Sequence, residues 1–333
     1  MPDQPLIAII DWKSSPLSEP EALVERRVIG DAARVESYLA DMDGILPDPV
    51  YQADAILLWH NIPIGAPTLE KLSRCQAIIR NGVGFDSVDI EAAQRLGIPV
   101  CNVPDYGTEE VADHAIALAM SLCRQLFPLD QEAKKLGWTI RVKPLLRRLS
   151  TLTFGIIGLG RIGTAAALRA KALGFRVVFY DPYLPNGVHK AIGVERAGSL
   201  NELLAQTEVL SIHCPLNQET QYMIGRRELD LLKENAFVVN TARGGIVDKL
   251  AILDALREGR LAGAGLDVID DEPLKSEEDA ATPNLIATCH AAFCSLESVE
   301  EMRSTSARIG LAAVLGRPLE NVVNGPVAPR STG

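Results

Sequence analysis

Short apolar runs alternate along this chain with longer amphipathic stretches. Residues 6–11, 55–58, 77–80 and 100–102 are nearly continuous apolar runs. Runs of that length read as strands buried on both faces. Between them, 21–39 and 90–96 carry spaced apolar positions of helical type. A second series opens at residue 153, with strands expected at 153–157, 176–180, 209–214, 237–240, 263–267 and 285–288. Residues 111–126 are Ala/Leu-rich and helical, long enough to cross between domains, and 296–315 form one more helix. Strand–helix–strand alternation predicts parallel sheets covered by helices. At 333 residues, two domains are the natural division. The expected fold is α/β: two Rossmann-like or flavodoxin-like lobes with an interdomain cleft. The boundaries are 1–105 together with 297–333 for one lobe, discontinuous because the last helix returns to it, and 106–296 for the other.

Composition narrows the class. Hydrophobic residues are 47% and charged residues 23%, and net charge is −10. That balance is ordinary for a globular protein and opposes nucleic acid or an anionic membrane as partner. No apolar run approaches a membrane span, and Met1-Pro-Asp-Gln lacks a signal peptide's basic-then-apolar start. Six scattered cysteines without a C-x-x-C suggest reduced thiols, a cytoplasmic location and no metal site. The one basic stretch, 134–149, includes Arg141, Lys143, Arg147 and Arg148 and reads as a solvated arm or linker.

The most informative string follows the strand at 153–157. Gly158, Gly160 and Gly163 form a G-x-G-x-x-G around Leu159, Arg161 and Ile162, and an Ala-rich helix (162–173) follows. The next strand ends at Asp181, 23 residues past Gly158. Strand, glycine turn, helix, strand and acid together are the dinucleotide fingerprint. The first glycine permits the turn, the second admits a pyrophosphate, and the third lets helix and strand pack closely. The helix start turns its N–H groups and positive dipole end toward phosphate. Asp181 suits ribose hydroxyls and repels a 2′-phosphate, and Pro182-Tyr183-Leu184 brings no arginine. NAD(H) is the expected cofactor.

Three polar residues stand where later strands end: Arg243, Glu272 and His290. Arg binds a carboxylate in a bidentate fork. A histidine can protonate a ketone oxygen as hydride reaches the carbon, and a carboxylate beside it keeps it charged and oriented. Each also has an ordinary structural reading: a surface ion pair, a helix-end charge and a hydrogen-bonded loop histidine. Gly82-Val83-Gly84 can present backbone N–H groups to an anion or be a simple turn. Arg80 suits either a second acidic group on a substrate or a structural ion pair.

These blocks carry a resemblance. Asn81-Gly-Val-Gly-Phe-Asp86, the 158–163 loop, Asn240-Thr-Ala-Arg-Gly-Gly245, Gly265-Leu-Asp-Val268, Asp271-Glu-Pro273 and His290 occur in the order found in D-isomer-specific 2-hydroxyacid dehydrogenases. The chain resembles that family over nearly its whole length. The resemblance implies an NAD-dependent enzyme reducing a small 2-keto acid. Arg243 would hold the substrate, His290 would be the acid/base and Glu272 its partner. It further implies that Asp267 anchors the nicotinamide carboxamide and that Thr241, Ala242 and Cys214 line the cofactor. Within the family the chain is most similar to the C-terminal binding protein branch, through Trp59-His60, Ile79-Arg80-Asn81-Gly82, Cys101-Asn-Val-Pro104, Glu109-Glu-Val-Ala-Asp113 and His290-Ala-Ala-Phe293. That likeness places His60 and Arg80 near the substrate, and Phe293 stands where the branch has tryptophan. The helix at 111–126 and the arm after it resemble the family's dimerisation region, which implies a homodimer. Two alternatives stay open: an NAD(H)-sensing protein-binding module, and the same fold acting on formate or phosphite.

Overall fold

The computed structural model describes residues 4–14, 21–60, 62–136, 138 and 146–325. The chain divides into two compact units, 1–106 with 295–333 and 107–294.

The first unit holds a five-stranded sheet: β1 (Leu6–Trp12), β2 (Arg34–Ala40), β3 (Ala55–Leu58), β4 (Ala77–Arg80) and β5 (Val100–Cys101). The order is β2-β1-β3-β4-β5 and every pairing is parallel. β3 and β4 are buried at every position. Both faces of such a sheet are covered, which is why these strands are apolar throughout rather than alternating. The stretch 21–39 departs from the helix expected there. Its helix stops at Leu23–Ile29, Gly30 takes φ +58, and the chain enters β2. β2 is an edge strand of Arg-Val-Glu-Ser-Tyr-Leu-Ala in which only Val35 and Ala40 are buried. Its mixed polarity imitates an amphipathic helix.

Helix Leu296–Val314 packs on helix Leu23–Ile29 and on β3 and β4. A narrow small-residue stripe permits this: Ser306, Ala307, Gly310 and Ala313 are buried, and a Cβ on Gly310 would lie 3.2 Å from Leu57. The Ser295 hydroxyl caps the helix start by accepting the N–H of Ser298. Arg303, itself buried, donates to both carboxylate oxygens of buried Glu25 at 2.9 and 2.8 Å.

The second unit holds seven parallel strands: β6 (Thr153–Ile157), β7 (Arg176–Tyr180), β8 (Glu195–Arg196), β9 (Val209–Ile212), β10 (Ala236–Asn240), β11 (Leu261–Leu266) and β12 (Leu285–Ala287). Their order is β12-β11-β10-β9-β6-β7-β8. Six strands were expected. The seventh, β8, has two residues at the sheet edge, too short to show any periodicity. The helix expected at 111–126 runs Thr108–Cys123, belongs wholly to this unit, and ends where Gln125 adopts φ +51 before helix Leu126–Lys134. It lies against β10 and β11. Gly263 and Gly265 let it approach, since a Cβ on either would meet Leu122 at 2.8 Å or Leu118 at 3.0 Å. Arg141 and Lys143 of the basic stretch lie outside the described residues. Arg147 pairs with Glu208 at 3.2 Å.

Candidate active site

β6 lies between β7 and β9, so successive connections leave it in opposite directions. Open parallel sheets bind ligands at such a switch point, beyond the carboxyl ends of the strands. The glycine loop stands there. Gly158 has φ +84, and a Cβ on it would lie 2.8 Å from the Cys214 nitrogen. A Cβ on Gly163 would lie 2.0 Å from the Gly158 carbonyl oxygen. Over Gly160 the space is open to 4 Å. Arg161 and Ile162 open helix Arg161–Ala172, whose first turn has no side-chain cap. The first N–H groups of a helix lack partners within it, so this end is fitted to accept a phosphate. The Asp181 carboxylate holds the loop's other side, accepting from the N–H of Leu159 at 3.0 Å and of Tyr183 and Leu184 at 3.0 and 3.2 Å. Beneath lie His213 and Cys214. Burial pushes the His213 imidazole down to about 4 and the Cys214 thiol up to about 12, so both are neutral near pH 7. Thr241 is buried, and its hydroxyl has no hydrogen-bond partner among the described residues. Bare helix start, open glycine and unpartnered hydroxyl fit a dinucleotide.

The polar candidates cluster at the ends of β10, β11 and β12. Arg243 leaves β10 in a turn held by buried Asn240, which accepts from the Ala242 N–H at 3.0 Å and donates to the Arg243 carbonyl at 2.9 Å. Gly244 then lies against the backbone after β11. A Cβ on it would fall 1.9 Å from the Ile269 carbonyl carbon. That contact joins the Arg243 turn to the segment bearing Glu272. Each carboxylate of this segment has its own partner: Asp270 with Tyr222, Asp271 with Lys275, and Glu272 with His290. His290 Nδ1 lies 3.1 Å from Glu272 Oε2. A carboxylate only accepts, so Nδ1 carries a proton and Nε2 is the nitrogen left to exchange one. The Phe293 ring meets the imidazole edge-on, with centroids 6.5 Å apart.

A family model for the D-isomer specific 2-hydroxyacid dehydrogenase NAD binding domain matches residues 116–292. The chain belongs to the D-isomer specific 2-hydroxyacid dehydrogenase family. It is 36% identical over 287 residues to a D-3-phosphoglycerate dehydrogenase of Methanocaldococcus jannaschii, a match covering 86% of this chain and 54% of that protein. The chain thus spans about half the length of that relative. It is 35% identical to a glyoxylate reductase of Korarchaeum cryptofilum, covering 84% of this chain and 85% of the other. A solved D-lactate dehydrogenase of Aquifex aeolicus, complexed with NAD and lactic acid, superposes with a TM-score of 0.86 at 29% identity, covering 96% and 99% of the two chains. The NAD-binding domain of this family member is therefore the second unit's sheet with its glycine loop.

The other candidates of this family member lie in the first unit, also where strands end. Asp11, fully buried at the end of β1, accepts from the Trp12 N–H at 2.7 Å and stands 3.2 Å from His60 Nε2. His60 itself has φ +53. Arg80 ends β4 with its guanidinium folded onto the Asn81 carbonyl. The Asn81 side chain is buried with neither polar atom partnered among the described residues. Beyond it, Asn102 Nδ2 donates to the Val83 carbonyl at 2.7 Å and the Val103 N–H to the Gly82 carbonyl at 3.1 Å, which fixes the turn carrying Gly84.

The sequence motifs assign no role to Asn240, His114 or Thr288. Asn240 has a signal, being the polar residue that ends an apolar strand just before the Arg243 turn. His114 sits inside a helix and Thr288 at the end of a short strand, and nothing in their sequence neighbourhoods links them.

Proposed function

We propose that the chain reduces a small 2-keto acid to the D-2-hydroxy acid, using NADH. The observation that carries this reading is the His290–Glu272 pair, which leaves Nε2 as the nitrogen that can exchange a proton, on a sheet that also presents Arg243. In this scheme the glycine loop, Arg161 and Ile162 hold the pyrophosphate. Asp181 takes the ribose, Thr241, Ala242 and Cys214 line the cofactor, and Asp267 anchors the nicotinamide carboxamide. When bound, the cofactor supplies the hydride. Arg243 fixes the substrate carboxylate in a two-point grip. His290 donates the Nε2 proton to the substrate oxygen, and Glu272 stabilises the imidazolium before transfer and the ring orientation after it. His60, Arg80 and the Gly82–Gly84 backbone are assigned to the substrate, and Phe293 to an apolar wall beside it. In domain terms, 1–105 with 297–333 serves the substrate and 106–296 the cofactor.

The test is NADH oxidation against glyoxylate, pyruvate, hydroxypyruvate and phenylpyruvate, with NADPH as comparison. His290→Ala should lower kcat by about 1,000-fold with NADH affinity nearly unchanged. Wild-type turnover in that variant, or no rate with any keto acid, defeats the reading. A preference for NADPH defeats the role given to Asp181. A homodimer in the cytoplasm completes the proposal. Leu126, Phe127, Leu136 and Trp138 expose large apolar surface within thirteen residues of one another, and light scattering reads the mass. Among the described residues no helix is long and apolar enough to cross a membrane.

A further inference from the structure

The backbone around His290 hangs on one carboxylate. Asp267, buried at the end of β11, accepts on Oδ1 from the Thr288 hydroxyl at 2.6 Å and the Ala291 N–H at 2.9 Å. Its Oδ2 accepts from the Ala292 N–H at 3.0 Å, and its main-chain oxygen accepts from the His290 N–H at 2.8 Å. These bonds hold His290 at φ +54, in the left-handed region that few residues other than glycine adopt. Held there, its ring reaches Glu272.

A second histidine touches this arrangement from below. His114 lies on the face of helix Thr108–Cys123 that also carries Leu118 and Leu122, four and eight residues on. Positions spaced by four share a helix face, and this face crosses β11 at Gly263 and Gly265. Its Nε2 lies 3.0 Å from Thr288 Oγ1 and 3.7 Å from Asp267 Oδ1. The direction of these bonds follows from proton counting. A threonine hydroxyl has one proton, and the Asp267 carboxylate has none to give. That proton therefore points to Asp267, so Thr288 is an acceptor toward His114 and His114 Nε2 carries hydrogen. A donor on one side of a hydroxyl strengthens the bond it makes on the other.

We propose that His114 is a positioning residue for His290, acting through Thr288 and Asp267. His114 donates to Thr288, Thr288 donates to Asp267, and Asp267 fixes the strained turn that aims the imidazole. The catalytic consequence rests on the reading of His290 as proton donor; the bonding pattern does not.

The test pairs two substitutions with two readouts. His114→Leu keeps an apolar side chain on the helix and removes the donor, while His114→Gln places an amide N–H near the position of Nε2. In histidine-labelled protein, nitrogen-detected NMR should show His114 protonated on Nε2. His114→Leu should move the Ala291 and Ala292 amide and His290 ring signals, and His114→Gln should return them toward wild type. In turnover, His114→Leu should lower kcat about tenfold with NADH affinity within threefold, and His114→Gln should recover most of the loss. A bare Nε2 on His114 overturns the proposal. So does a Gln variant as impaired as Leu, which would make the role one of packing alone, or a Leu variant with wild-type spectra and kcat. If no keto acid is turned over, the proposed function fails while the spectra still judge the bonding chain.

Discussion

The glycine loop and the turn bearing His290 stand at the carboxyl ends of strands in the same sheet, and they keep their shapes by opposite means. The loop is shaped by absence: at Gly158 and Gly163 there is no room for a single carbon. The turn is shaped by attachment: four groups hang on Asp267, and the left-handed conformation of His290 persists because they do. One design fails when an atom is added and the other when a bond is removed. The first presents backbone to a ligand that every member of a cofactor class shares. The second aims a particular side chain.

This contrast orders the predictions. Gly163→Ala puts a carbon 2.0 Å from the Gly158 oxygen, which no rotamer change relieves. NADH affinity measured by calorimetry should fall by about 100-fold or more, equivalent to about 3 kcal/mol. Near-normal binding would show that the loop is not held by absence. Asp267→Asn is isosteric but offers one carboxylate position as an NH2 donor, where an N–H or hydroxyl now donates. It should lower kcat by about 30-fold while the far-ultraviolet circular dichroism stays native. A smaller change than in His114→Leu would invert the order of the chain from His114 to His290.

The last effect is spread over a range of pH and concerns acid. His213 is held down at about 4 by burial, below the ordinary 6.5 of an exposed histidine. The unfolded chain takes up this proton first as pH drops, so the group's contribution to stability is complete above about 6.5 and is lost as pH falls toward 4. Unfolding free energy should fall with a slope of at most about 1.4 kcal/mol per pH unit across that window. His213→Asn should flatten it in urea titrations at several pH values. An unchanged slope would remove His213 as the source.

How much of this was legible in the sequence follows the same division. The strands at 55–58, 77–80, 153–157 and 176–180 coincide with observed elements, because a doubly covered parallel strand is a bare apolar run. Two of the four edge strands depart from the pattern, while β5 and β12 fall within the expected 100–102 and 285–288. β2 carries polar residues at a helix-like spacing, and β8 has only two residues. At the site, glycine spacing exposed the phosphate loop, because a missing side chain shows in the sequence itself. The pairing of His290 with Glu272 could be framed from chemistry, with eighteen residues between them. The bond from His114 to Thr288 could not, because it joins residues 174 positions apart through the register of a helix over a sheet. The family resemblance makes Asp267 a cofactor anchor and says nothing of its hydrogen bonds to residues 288–292, which depend on how the end of β11 meets the turn after β12.

The buried pair of Arg303 and Glu25 spans 278 positions of chain. Other bonds of the same unit span nearly as much: Asn324 accepts from the Val100 N–H and donates to the Ile98 carbonyl across 224 and 226 positions. During synthesis from the amino end, the first five strands emerge long before the helix and tail that close their unit. All of residues 107–294 must leave the ribosome in between. The second unit, continuous in sequence, has every contact it needs earlier. The part of the protein made first is therefore finished last: a chain that had emerged from the ribosome only as far as residue 294 would hold a complete dinucleotide-binding sheet and an unfinished five-stranded one.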